Sequence, residues 1–150
     1  MNQDQKIKID TIVSQCLSVR VRLINRMVSA IYDKAMKPHG IKSTQFTVLA
    51  AVAALESPTS RELSRVLHMD TSTFSRTLGI LKQRGLLESE PSGQGKILTI
   101  RITRDGAALL EQAYPDWEKA QAEALDALGP DTFDRIVATG SQFLYQGLGS

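Results

Sequence analysis

The residues best suited to chemistry stand in one short run. Thr71, Ser72, Thr73, Ser75 and Arg76 set four hydroxyls and a guanidinium close together. Such groups bond phosphates and base edges, and Arg paired with guanine is the commonest specific contact to a base. Ser60 and Arg61 open a second short pattern at a helix start, where amides and dipole favour a phosphate. Enzyme constellations do not occur: the chain has no paired-carboxylate motif, no nucleophile elbow and no His-Glu-x-x-His, so no residue is assigned as catalytic. Gly93-Gln94-Gly95 fits neither the P-loop nor the dinucleotide pattern. His39 and His68 lack a second ligand at metal-binding spacing. The single cysteine, Cys16, excludes both an intramolecular disulfide and a cysteine-cluster zinc site. No metal or other cofactor is expected.

Composition narrows the classes further. At 150 residues, 42% hydrophobic and 23% charged, the chain has a globular profile and enough length for one sizeable core. The longest apolar stretch, Val48 to Leu55, is far short of the roughly 20 residues that span a bilayer. Met1 to Asp10 carries no apolar block of the secretory kind, and a reducing cytoplasm is the expected compartment. The formal charge of +2 conceals an asymmetry. Residues 1–41 carry +4, residues 42–104 another +4, and residues 105–150 carry −6. A basic first two-thirds with an acidic end suggests a polyanion-binding part and a separate part that does not touch polyanion.

The elements that must position these groups follow from periodicity. Ile9, Ile12, Val13, Cys16, Leu17, Val21, Ile24, Met27, Val28, Ile31 and Ala35 recur at steps of three and four, which predicts one long amphipathic helix closed by Pro38 and Gly40. A helix of that length overhangs a small core, so its apolar stripe is expected to pack against a second chain. Ser43 or Thr44 can cap the next helix, which is apolar nearly all round and ends at Ser57-Pro58. Thr59 and Glu62 form a capping box for a short helix burying Leu63, Val66 and Leu67. Asp70 is an N-cap for another, with Phe74, Leu78 and Leu81 inside, Lys82 and Arg84 outside, and Gly85 at its end.

Beyond Gly85 the period drops to two. Leu98, Ile100 and Ile102 alternate with polar residues as in a half-buried strand, with Leu86-Leu87-Glu88 as partner and residues 90–95 as the turn, Lys96 just past it. Thr103 to Gly106 opens a helix reaching Leu128, in which Pro115 can introduce a kink. Gly129-Pro130 interrupts, and Phe133, Ile136, Val137, Phe143 and Leu144 mark a last helix. The middle of the chain is thus a helix-turn-helix followed by a two-stranded wing. In that setting Arg76, which alone would read as solvated surface, becomes a candidate DNA contact.

These residues resemble the MarR family of winged helix-turn-helix regulators along nearly the whole chain. The resemblance is carried by Tyr32 to Ile41, Thr44 to Leu49, Leu63 to Leu67, Asp70 to Gly85 with Leu86, and Ile100 to Gly106. It implies a mainly α fold with a small β-wing. Residues 1–41 and 105–150 would form dimerisation helices around a DNA-binding lobe at 42–104. It also implies a homodimeric, sequence-specific transcriptional regulator, expected to repress, that binds a pseudo-palindromic operator on double-stranded DNA without any membrane contact. Ser60, Arg61, Thr71, Ser72, Thr73, Ser75, Arg76 and Lys96 are its candidate DNA contacts. The wing departs from the family pattern, with Gln94-Gly95-Lys96 where an Asp-Arg pair is usual and Ser89 where an Arg is usual.

Three further residues are candidates for control. The family tends to bind small aromatic acids or phenols where the dimerisation helices meet the lobe, and Arg20 and His39 are candidates for contacting such an effector. Cys16 is the candidate for a peroxide-sensing alternative, which some relatives realise through a first-helix cysteine. Its neighbours Ile12, Val13 and Leu17 predict an apolar setting, which slows thiol oxidation and favours the small-ligand reading. A dimeric ligand-binding protein that keeps the fold without strong DNA binding is the alternative of a different class.

Overall fold

The computed structural model describes residues 1–91 and 98–148, the side chains of 144–148 excepted. The N-terminal stripe does not form a single helix. Helix α1 (Gln3–Gln15) and helix α2 (Leu17–Met36) are separated at Cys16, whose ψ of 110° is extended. The joint is held by Arg20. Its guanidinium donates to the Val13 carbonyl at 3.4 Å, to the Cys16 carbonyl at 3.1 Å and to the Ser14 carbonyl, so carbonyls at the end of α1 are satisfied by a side chain rather than by a continuing helix. Periodicity cannot register such a break, because the apolar spacing continues across it. A 3-10 turn over Lys37–His39 and a left-handed Gly40 (φ +66°) then close α2 where Pro38 and Gly40 predict.

Helix α3 (Ser43–Ala54) has Lys42 as its N-cap residue rather than Ser43 or Thr44. The Gln45 side chain accepts the Lys42 N–H at 2.9 Å. Ser43 is instead drawn to α2, where Asp33 Oδ1 accepts its N–H at 2.8 Å and its Oγ–H at 2.7 Å. Helix α4 (Ser60–Leu67) and helix α5 (Thr71–Gln83) begin at the expected caps. The core joins these three helices. Val48, Leu49 and Val52 of α3 meet Leu63 of α4 and Phe74, Leu78 and Leu81 of α5, with Leu86, Leu87 and Ile100 closing it from the sheet. Val66 and Leu67 are only half-buried.

Strands β1 (Leu87–Pro91) and β2 (Leu98–Ile102) pair antiparallel, Leu87 opposite Ile102 and Pro91 opposite Leu98. Glu90 and Pro91, turn residues by composition, therefore belong to the strand. The pairing is reinforced by Arg101 donating to Glu90 Oε2 at 2.9 Å. A one-residue bridge from Thr59 to Thr99, with Ile100 N–H donating to the Pro58 carbonyl at 2.8 Å, ties the sheet to the start of α4.

Helix α6 (Arg104–Leu128) runs on through Pro115, and helix α7 (Pro130–Leu148) turns back to pack on α4, where His68 Nε2 lies 3.0 Å from the Phe143 carbonyl. Met36, Ile41 and Ala113 bury a second small core between the end of α2 and α6. Buried Ala120 and Ala124 let those two long helices approach closely. Among the described residues, no helix is long and apolar enough to cross a membrane.

Candidate nucleic-acid interface

The sequence of α5 divides cleanly between two faces. Phe74, Thr77, Leu78 and Leu81 are buried, at steps of three and four, while Thr71, Ser72, Thr73, Ser75 and Arg76 are exposed. Burying one stripe fixes the helix about its axis, so the other stripe can only face outward. Arg76 and Arg61 make no ion pair among the described residues, and Ser60 and Arg61 are exposed at the start of α4. The structure therefore brings seven of the eight candidate DNA contacts to accessible positions on two adjacent helices. Lys96 lies outside the described residues, as do Gln94 and Gly95.

Carboxylates hold the starts of both helices. At α4, Thr59 Oγ1 accepts the Glu62 N–H at 3.2 Å, and Glu62 Oε2 accepts the Thr59 N–H at 2.7 Å and its hydroxyl at 2.8 Å. These bonds hold the Glu62 carboxyl below its ordinary range. At α5, Asp70 Oδ1 accepts the Thr73 N–H at 2.8 Å and the Ser72 hydroxyl at 2.7 Å. Bonds from Thr73, then Ser72, lower the Asp70 pKa from 3.8 to about 2. Ser72 is therefore a partly committed hydroxyl, and the negative Asp70 occupies the helix start, a place that otherwise attracts phosphate.

The linkage has a definite sign. The Asp70 cap contributes its full stability above pH 3.8 and loses it as pH falls towards about 2. Acid unfolding of Asp70→Asn should accordingly show a shallower loss of stability over that window than the parent, measured by circular dichroism. An unchanged acid profile would mean that the cap does not contribute.

Several sequence candidates have other work. Arg84 Nη1 donates to the Gly40 carbonyl at 2.7 Å, so it fastens α5 to the loop after α2 instead of projecting freely, and Lys82 is half-buried. His39 is not a loose surface residue: its Nε2 lies 2.9 Å from Asp116 Oδ2, linking that loop to α6, and Lys119 donates to the other Asp116 oxygen at 2.7 Å. Arg20 caps the α1 carbonyls. Cys16 stands half-buried at the helix joint, but Ile12, Val13 and Leu17 are 63%, 68% and 74% exposed, so within one chain its apolar setting is not enclosed.

Two features escaped the sequence reading. Gly79 lies on the exposed face one turn beyond Ser75 and Arg76, and a Cβ there would meet open space. A helix-interior glycine with no packing neighbour was the available signal. The second is a crevice of about 300 Å³ between α2, α3 and α6, lined in part by Tyr32, Phe46 and Trp117. Neither Arg20 nor His39 lines it.

The arrangement can now be set beside known proteins. Residues 39–96 match the family model described as MarR family. MosR, a transcriptional regulator of Mycobacterium tuberculosis solved in complex with DNA, is 28% identical with a TM-score of 0.72, covering 85% of this chain and 96% of that one. The chain is similar to the MarR family over residues 39–96 and in its fold. A cysteine-to-serine variant of Escherichia coli MarR complexed with operator DNA shares the fold at a TM-score of 0.75 and 24% identity, covering 93% of this chain and 98% of that one. A probable transcriptional regulator from Pseudomonas aeruginosa also shares it, with a TM-score of 0.75, 20% identity, and 87% and 98% covered. No curated protein sequence matches the chain. The MarR family comprises DNA-binding transcription factors rather than enzymes, and this chain shares the winged helix-turn-helix fold of its solved members.

Proposed function

We propose that this protein is a cytoplasmic homodimer that binds a pseudo-palindromic operator sequence-specifically, represses through it, and releases it when a small molecule enters the α2–α3–α6 crevice. The observation that carries the reading is the exposed stripe of α5, hydroxyls beside a guanidinium with no ion pair among the described residues, on a helix whose opposite face is locked in the core. Residues 42–104 act as the DNA-binding lobe, and residues 1–41 and 105–150 bring two lobes together. Two recognition helices related by a dyad and spaced about 34 Å apart would enter successive major grooves. The relatives solved with DNA support this reading.

The test is duplex affinity as a function of salt. Each phosphate neutralised should contribute about −0.9 to the slope of log affinity against log salt. A salt-insensitive or absent association would leave a dimeric fold that does not act on DNA.

Dimerisation is supported by apolar surface that one chain leaves open. Besides Ile12, Val13 and Leu17, exposed Val21 and Leu23 of α2 and Ile136, Val137 and Phe143 of α7 add to it, and monomers rarely expose contiguous apolar patches beyond a few hundred Å². Sedimentation should show a dimer at micromolar concentration. A compact monomer there would sink the proposal.

A further inference from the structure

We infer that the crevice between α2, α3 and α6 selects an uncharged aromatic ligand and rejects aromatic acids, an inference that rests on the effector reading above. At about 300 Å³ the space suits one substituted ring. A cavity of about 150 Å³ already takes benzene. Tyr32, Phe46 and Trp117 offer ring surface; Ser29, Ser43 and Thr47 donate their hydroxyl protons to Asn25, Asp33 and the Ser43 carbonyl, so their oxygens remain as acceptors for a ligand that donates. Among the described residues no Lys, Arg or His lines the crevice.

The surrounding charge points the same way. Ser43 is the first residue of α3, and a helix N-terminus ordinarily attracts an anion. Here that place is taken. Asp33 Oδ1 accepts both the Ser43 N–H and its hydroxyl proton, so these donors are committed to a carboxylate and the wall behind them is negative. Tyr32 is the one ionisable side chain among the described lining residues; its hydroxyl donates to Gln121 Oε1, and burial pushes its pKa up from the ordinary tyrosine value. An aromatic carboxylate, which can only accept, would lose its hydration and meet no cation among the described lining residues, with the Ser43 donors already taken by Asp33; an amide or a phenol could donate to the hydroxyl oxygens.

The sole tryptophan, Trp117, lines the crevice, so its indole N–H gives a single resonance that reports occupancy. The full-length protein is titrated with benzamide and with benzoate, which share a shape and differ in charge. Benzamide should shift the resonance with an affinity at least about tenfold tighter than benzoate. Asp33→Asn, which keeps an acceptor for Ser43 while removing the negative charge, should narrow that gap by strengthening benzoate. Benzoate binding as tightly as benzamide, or neither ligand moving the resonance, overturns the inference. Failure of the effector reading shows separately: benzamide then shifts the indole but leaves operator affinity unchanged.

Discussion

Arg76→Ala is expected to cost about 1–3 kcal/mol of operator binding and to relax preference at one base position. The guanidinium is exposed, makes no ion pair among the described residues, and lies in the N-terminal half of α5, the part of a recognition helix that reaches base edges. Lys96, a candidate from sequence alone, is expected to behave differently. Lys96→Ala should weaken all duplexes about equally and reduce the salt slope by about one, the mark of a phosphate contact. Binding-site selection from random duplexes, run on parent and both variants, separates the two. Identical base preferences for both variants would show that Arg76 does not read a base.

The largest effect on stability is expected at Gly106. This glycine lies where α6 begins, under a junction stitched by Thr103, whose N–H donates to the Leu86 carbonyl at 3.1 Å while its hydroxyl donates to the Gly85 carbonyl at 2.7 Å and accepts the Gly106 N–H at 3.1 Å. A Cβ on Gly106 would come within 2.2 Å of the Leu86 carbonyl oxygen and 2.8 Å of Ile102 Cγ1. Replacing a helical glycine by alanine ordinarily gains about 1 kcal/mol. Overpacking costs about 1–3 kcal/mol, and here the nearest obstacle is backbone, which cannot swing aside as a side chain can. The clash therefore wins, and Gly106→Ala should lower the midpoint of thermal unfolding and loosen the join between wing and α6.

Gly79→Ala is the matched control. The same methyl, added to α5 in open space, should raise stability by up to about 1 kcal/mol. Because Gly79 shares the exposed face with Arg76, the added methyl should also weaken operator binding where the helix approaches the duplex closely. If Gly106→Ala proves as stable as Gly79→Ala in thermal unfolding, the steric account of the junction is wrong.

Sequence alone determined the parts governed by neighbours along the chain. The Thr59–Glu62 box, the Asp70 cap, the left-handed turns at Gly40 and Gly85, the buried stripe of Phe74, Leu78 and Leu81 and the alternation in Leu98 to Ile102 all appear as the residue types require. Each rests on bonds or periods spanning two to four positions, so spacing is enough to read them. Tertiary structure decided the rest. The split at Cys16 hangs on Arg20 reaching back to the end of α1, and Glu90 and Pro91 become strand because β2 lies beside them. Arg84 is withdrawn by a carbonyl 44 positions away and His39 by a carboxylate 77 positions away. The crevice exists only because α2, α3 and α6 converge. Whether a charged side chain faces a ligand or a partner in its own fold depends on distances that no local spacing encodes.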